Sequence, residues 1–216
     1  MDKSYNIYMI VMDNHPISLM YSRITIPTWE KHDYKIKKFN AITPKDLYKK
    51  SKLEFSNNRA RKFTNTEKAV WYSHFELWCK CLNDFTPMVI IEHDSKLVKP
   101  LPDLSKEGHK FLSFIDRDFG KKRGIYLAPG SGYYITPIVA QRLISYAVSK
   151  PIMLNSDGHL ANLLNIDKQE KAENFYYIEQ INIDGLNTID HKNPDRNYVG
   201  LDYEEIDIPS IHRQEI

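Results

Sequence analysis

Apolar residues fall in short runs separated by turn-forming residues. The first, YNIYMIVMD over Tyr5–Asp13, is β-rich, ends on an acid and reads as a buried strand. Asn14-His15-Pro16 reads as a turn, with a short helix expected around Ile17–Ser22. Tyr34–Ala41 alternates loosely, as a second strand does, and Pro44 suits the first turn of a short helix. Thr64-x-x-Glu67 has the form of a capping box, and it opens a helix predicted to reach about Leu82. Within that helix Ala69, Val70, Leu77, Trp78, Cys81 and Leu82 recur at helical spacing. The run PMVII over Pro87–Ile91 is short and continuous, as a central strand buried on both faces would be. It stops abruptly at Glu92-His93-Asp94.

Further strands are expected at Lys110–Ile115, Gly124–Leu127, Tyr133–Thr136 and Phe175–Ile183. Pro137–Lys150 carries an apolar stripe and reads as an amphipathic helix, and Asp157–Ile166 reads as another. Strands alternating with helices predict an α/β domain, a mixed central sheet flanked by helices. The domain is expected over 1–183, followed by a polar, acidic extension over 184–216.

Composition changes little of this. At 216 residues, 42% hydrophobic and 27% charged, the chain is of ordinary globular type, with no run long enough for a transmembrane helix. Its start lacks a small-residue cleavage site and reads as a strand, not a signal peptide. Cys79 and Cys81 point to different sides of one helix, so they should stay free, which fits a reducing, cytoplasmic setting. They also make a poor zinc site, with no second cysteine pair.

Charge is unevenly spread. Residues 1–70 hold 14 Lys/Arg against 7 Asp/Glu, and residues 151–216 hold 5 against 13. The basic excess is densest from Lys31 to Lys68, where Lys35, Lys37, Lys38, Lys45, Lys49 and Lys50 gather, with Arg59 and Arg61 beyond. Either a solvated lysine-rich face or a surface for phosphates accounts for it.

The chemistry is concentrated where PMVII ends. Ligands of open α/β sheets sit beyond the carboxyl ends of strands. An apolar strand that delivers Glu92 and Asp94 to that edge supplies hard oxygen ligands suited to Mg²⁺ or Mn²⁺. If the strand continued, the two side chains would share a face. One carboxylate would then hold the metal while the other reaches a ribose hydroxyl. Gly130 and Gly132 read as points of close backbone approach, since no helix start follows directly.

TEKAVWYSHFELW followed by VIIEHD resembles glycosyltransferase family 25, the lipopolysaccharide-type sugar transferases, which also includes collagen galactosyltransferases. Glu67, Ser73, His74 and Trp78 match the first part of its pattern, and Glu92 and Asp94 the second. Tyr5–Asp13 with Arg23, Phe39-Asn40-Ala41, the Gly132–Ile135 strand with Ala140 and Leu143, and Pro151 to Asp157 agree as well, so the resemblance spans roughly 5–165. His93 departs from it, standing where the family has a middle aspartate.

The resemblance implies a GT-A-like fold, a nucleotide-sugar donor (a UDP-sugar) and inversion at the transferred carbon. It implies donor contacts at Val11, Asp13 and Asn40, and at Glu67, Ser73 and His74 on the helix. Glu92 and His93 join them, Asp94 becomes the metal ligand, and Asp157 the general base. His159 is read as completing the metal shell. Blander readings stay open: His74 as a satisfied helix-core histidine, Trp71, Phe75 and Trp78 as core, and Asp157 or Ser156 as a helix cap. Two acceptors stay open too. One is a saccharide of lipopolysaccharide type. The other is hydroxymethylated cytosine in DNA, modified by a phage enzyme whose basic face grips phosphates without reading sequence. A catalytically inactive nucleotide-sugar-binding module is the third possibility.

Overall fold

The computed structural model describes residues 5–50, 53–56, 62–104, 111–114, 132–160 and 178–180. Along it run β1 (Asn6–Val11), α1 (Pro16–Glu30), β2 (Ile36–Asn40), a 3-10 turn (Pro44–Lys49), α2 (Asn65–Asn83) and β3 (Met88–Glu92). Then come β4 (Ser95–Leu97), β5 (Phe111–Ser113), β6 (Gly132–Ile135), α3 (Pro137–Ser149) and β7 (Ile178–Gln180). Five strands form one sheet in the order β2-β1-β3-β6-β5. β1 pairs in parallel with β2 and with β3, while β6 runs antiparallel to β3 and β5. The expected mixed α/β sheet flanked by helices is what the chain forms.

The strands alternate cleanly between two cores. Ile7, Met9, Val11, Val89, Ile91, Leu112 and Tyr134 face α1 and its Trp29. Tyr8, Ile10, Met88, Ile90, Tyr133 and Ile135 face α2 and α3, against Trp71, Leu77, Trp78, Val139 and Leu143. A strand covered on both faces needs apolar side chains at every position, which is why β1 and β3 read as unbroken apolar runs. The parity also aims the site: Glu92 shares the α2-facing side of β3 with Met88 and Ile90.

Two expectations change. The helix after Pro16 is longer than Ile17–Ser22, running to Glu30 with Pro27 inside it. Pro27 has no N–H to give the carbonyl four residues back, so the helix forgoes one backbone hydrogen bond there. Its Thr25, Thr28 and Trp29 grip the segment beyond β3: Thr25 Oγ1 lies 2.7 Å from the His93 carbonyl, and Trp29 Nε1 donates to the Ser95 carbonyl at 2.8 Å. Leu97 N donates to Thr28 Oγ1 at 3.0 Å. In consequence β3 does not continue through Asp94. His93 and Asp94 form a turn, and the chain enters β4, which pairs with β7 in a separate two-stranded sheet. The face-sharing argument for Glu92 and Asp94 therefore fails, and the turn is what brings Asp94 near Glu92.

Gly132 is a close-approach glycine, as expected: a Cβ there would stand 2.5 Å from Ile178 Cδ1 and 3.3 Å from Ile91 Cγ2. Cys79 and Cys81 are both free thiols. No helix among the described residues is long and apolar enough to cross a membrane. Gly130, the strand expected at Gly124–Leu127, most of the helix expected at Asp157–Ile166, and the extension over 184–216 lie outside the described residues.

Candidate active site

The C-terminal ends of β1, β2 and β3 open onto a cleft of about 540 Å³ that includes its mouth to solvent. Ile10 and Met12 form its floor, Ala41, Ile42 and Pro44 one rim, and Thr66, Ser73 and His74 of α2 the opposite wall, with Glu92 and His93 at its inner end. This is the edge where the chain turns from β1 to strands on either side, the usual place for a ligand in such sheets.

The rim is tied down by backbone contacts. Ala41 N donates to the Val11 carbonyl at 2.8 Å, and Ile42 N donates to Ser73 Oγ at 2.9 Å. Ser73 in turn donates to the Ala69 carbonyl at 3.0 Å. Its one proton and an acceptor lone pair are thus committed inside the protein, and Ser73 acts on the cleft by holding its rim. The Val11 side chain is fully buried against α1, so a donor contact at Val11 would be made by its backbone. Glu67 closes the capping box of α2, accepting from Thr64 N at 2.9 Å while Thr64 Oγ1 accepts from Glu67 N at 3.1 Å. That contact commits one oxygen of its carboxylate, and Glu67 is not among the residues lining the cleft. Asp13 and Asn40 are exposed neighbours at the ends of β1 and β2, where Asp13 N donates to Asn40 Oδ1 at 3.4 Å.

Beyond the end of β3, Asp94 and Asp157 lie within the electrostatic field of Glu92, all three partly accessible. Burial, and then the fields of Asp94 and Asp157, push the proton affinity of Glu92 well above the ordinary carboxylate range. Burial raises Asp157 too, opposed by His74 and by a hydrogen bond from Ser156. His93 packs its ring 5.8 Å from Tyr21, and burial lowers its proton affinity while Asp94 and the Ile10 carbonyl oppose that. Among the described residues no three His, Cys, Asp or Glu side chains enclose a cation by themselves.

His159 is not part of this cluster. Its ring stacks on Trp78 at 5.7 Å and meets Trp71 at 5.1 Å, and Nε2 lies 3.2 Å from the Leu143 carbonyl. Sealed at 2% exposure inside the aromatic core, it cannot complete a metal shell, so that expectation is corrected. Trp71, Phe75 and Trp78 are core as well. His74 is fully buried, its Nδ1 2.8 Å from Tyr133 Oη, with Trp78 Nε1 donating to the same oxygen at 2.8 Å. Tyr133 is the residue the sequence did not single out. A tyrosine inside a GYYI strand carries no local sign that its hydroxyl meets a histidine 59 positions away.

Two outcomes follow from this geometry. Thr25→Val keeps the shape but removes the hydroxyl nearest the His93 carbonyl. An expected loss of about 1–2 kcal/mol follows from a carbonyl left short of a partner, read as a lower urea midpoint at unchanged m-value. The second concerns acid. Burial takes His74 from 6.5 down to about 4. Between those values the unfolded chain binds a proton that the folded protein refuses, so the stability contribution is complete above pH 6.5 and lost as pH falls. Roughly 2 kcal/mol should disappear between pH 6.5 and 5, at about 1.4 kcal/mol per pH unit. His15, His93 and His159 shift in the same direction, while Glu92 and Asp157, whose affinities are raised, oppose it. Urea melts of wild type and His74→Gln at both pH values isolate the His74 share. Equal slopes in the two proteins would refute it.

The profile of glycosyltransferase family 25, described as an LPS biosynthesis protein family, matches residues 12–122, just over half of the chain. No curated protein matches the sequence. Among solved structures, a glycosyltransferase involved in glycosylation of the major capsid of PBCV-1 overlaps at TM-score 0.44 with 11% identity, covering 80% of this chain and 81% of the other. The apo form of mouse xyloside xylosyltransferase 1 overlaps at TM-score 0.41 with 9% identity, covering 79% and 84%. At such scores neither likeness bears on activity or substrate.

Proposed function

This chain belongs to glycosyltransferase family 25, and on that premise we propose that it moves a sugar from a nucleoside diphosphate donor, a UDP-sugar, to a hydroxyl of a saccharide acceptor of lipopolysaccharide type. The observation that carries this reading is Glu92 facing His74 in a cleft over the sheet's carboxyl edge, with Asp94 and Asp157 within its electrostatic field.

Asp94 would hold a divalent cation, Mn²⁺ or Mg²⁺, with Glu92 beside it on the donor. Carboxylate oxygens suit such hard ions. Among the described residues too few ligands converge to enclose one without the donor's phosphate oxygens, so cation and donor are expected to bind together. When bound, the ion offsets charge growing on the departing diphosphate. Asp157 takes the acceptor's hydroxyl proton. Its raised proton affinity suits that task, because a base works best with a pKa near the working pH. A single base acting on an acceptor that attacks directly gives inversion. Asp13 and Asn40, exposed at the ends of β1 and β2, remain donor contacts in this reading.

A second acceptor has its own support. Lys35, Lys37, Lys38, Lys45 and Lys49 are exposed, and Tyr48 beside them is 80% exposed with Lys49 Nζ 5.3 Å from its ring centre. Cations with an exposed aromatic suit a nucleic acid, so hydroxymethylcytosine in phage DNA is kept as the alternative. Location in the cytoplasm of a bacterial or phage-infected cell belongs to the same proposal, supported by the two free thiols.

The test is turnover of a panel of nucleotide sugars with Mn²⁺, offered saccharide acceptors in one arm and hydroxymethylated DNA in the other. Sugar transfer in either arm identifies the acceptor. Donor affinity without transfer or slow donor hydrolysis would instead mark an inactive binding module.

A further inference from the structure

Helix α1 packs on the sheet through a row that is largely polar. Ser18, Ser22, Thr25 and Trp29 recur at helical spacing and are fully buried, where a helix against a core ordinarily presents aliphatic side chains. Buried polar groups need partners. Ser18 Oγ accepts from Met12 N at 2.9 Å, and Ser22 donates within the helix to the Leu19 carbonyl at 2.9 Å. Thr25 and Trp29, one helical turn apart, reach instead the two peptide carbonyls on either side of Asp94. Thr25 Oγ1 lies 2.7 Å from the His93 carbonyl, and Trp29 Nε1 lies 2.8 Å from the Ser95 carbonyl. The threonine has one proton and a second carbonyl close by, that of Tyr21 at 3.0 Å. Tyr21 sits inside the helix, where its carbonyl already receives the ladder N–H four residues on. The His93 carbonyl lies in a turn and makes the shorter contact, so the proton belongs there.

Neither Thr25 nor Trp29 is among the residues lining the cleft, so anything they do there passes through the backbone of the turn. A ligating carboxylate has to be held within about 0.5 Å of its place by the groups around it. The donor set is of the right kind, since Asp94 and Glu92 bring hard carboxylate oxygens into one another's field. We propose that Thr25, with Trp29 on the far side, is a positioning residue for Asp94: the two side chains hold the carbonyls of His93 and Ser95 and so fix where the turn presents the carboxylate between them. The hold on the turn does not depend on any activity. That the carboxylate so held receives a divalent cation rests on the glycosyltransferase reading.

Three variants of the whole chain test this. Thr25→Val removes the hydroxyl and keeps the shape, and Thr25→Ser restores the hydroxyl. Thr28→Val is the control. Thr28 Oγ1 accepts from Leu97 N at 3.0 Å, so its loss removes a bond of the same kind from the same helix, but beyond the turn. The first readout is backbone amide relaxation without metal. His93 and Asp94 should have order parameters of about 0.85 in wild type, Thr25→Ser and Thr28→Val, and values falling toward about 0.6 in Thr25→Val. The second is Mn²⁺ uptake with uridine diphosphate present, followed by the free-ion resonance signal and compared with the nucleotide alone. Having to order the turn on binding should weaken uptake by Thr25→Val roughly tenfold, while Thr25→Ser and Thr28→Val stay within about twofold of wild type. Wild-type order and uptake in Thr25→Val, equal weakening by Thr28→Val, or failure of serine to restore the hold overturns the proposal. A wild-type protein that takes up no Mn²⁺ while the contrast in amide order stands counts against the cation at Asp94, and not against Thr25 as the residue that holds the turn.

Discussion

Asp94→Ala is expected to reduce donor turnover roughly 10³-fold or more while leaving the fold intact. A cation that offsets charge on a leaving diphosphate is worth several kcal/mol, and about 1.4 kcal/mol corresponds to each factor of ten. Asp94 is partly exposed and sits in a turn held from α1 by backbone-directed contacts at His93 and Ser95. Truncating it removes no side chain of either hydrophobic core, so the variant should still unfold in a single cooperative urea transition. The measurement is slow hydrolysis of a UDP-sugar across a Mn²⁺ titration. Wild type should saturate with metal and the variant should not respond. A variant that saturates at the wild-type metal concentration with wild-type rate would remove the cation from Asp94.

Asp157→Asn is expected to lower kcat by roughly 10²–10⁴ with little change in donor affinity, the usual scale for a lost general base. The amide keeps the shape and can still accept the hydrogen bond from Ser156. It cannot take a proton. Burial disfavours the charged form of Asp157, and Glu92 lies within its field. Replacing it by a neutral amide should therefore leave folding stability at pH 7 unchanged or slightly raised. A stable protein that binds donor but does not transfer is the signature expected. Retention of wild-type kcat would move the base elsewhere.

Much of the fold was legible because the period of the apolar positions reports how many faces an element buries. PMVII has no polar position, and it forms a strand with a core on each side. The capping box at Thr64 and Glu67 is read from four residues and formed as expected. The helix from Pro16 was read too short because its Thr25 and Thr28 look like surface positions, while in the fold they bind backbone of the segment beyond β3. Their partners lie 68 and 69 positions away, and no local pattern encodes a contact at that range.

The site divides along the same line. Glu92 and Asp94 stood out because acids that end an apolar strand are a local signal. Val11, Ser73, Glu67 and His159 were named by position in a pattern, and the structure gives them to the α1-side core, the rim, the helix cap and the aromatic core. Strand parity, helix caps and the acidic strand end follow from residues near one another in the chain, so the sequence alone determined them. Which polar atoms meet depends on how the two faces of the sheet are covered. Only the tertiary structure decided that His74 faces Glu92, that Tyr133, bonded by Trp78, meets its ring, and that His159 is shut away, because burial and hydrogen-bond pairing arise between segments that the chain keeps far apart.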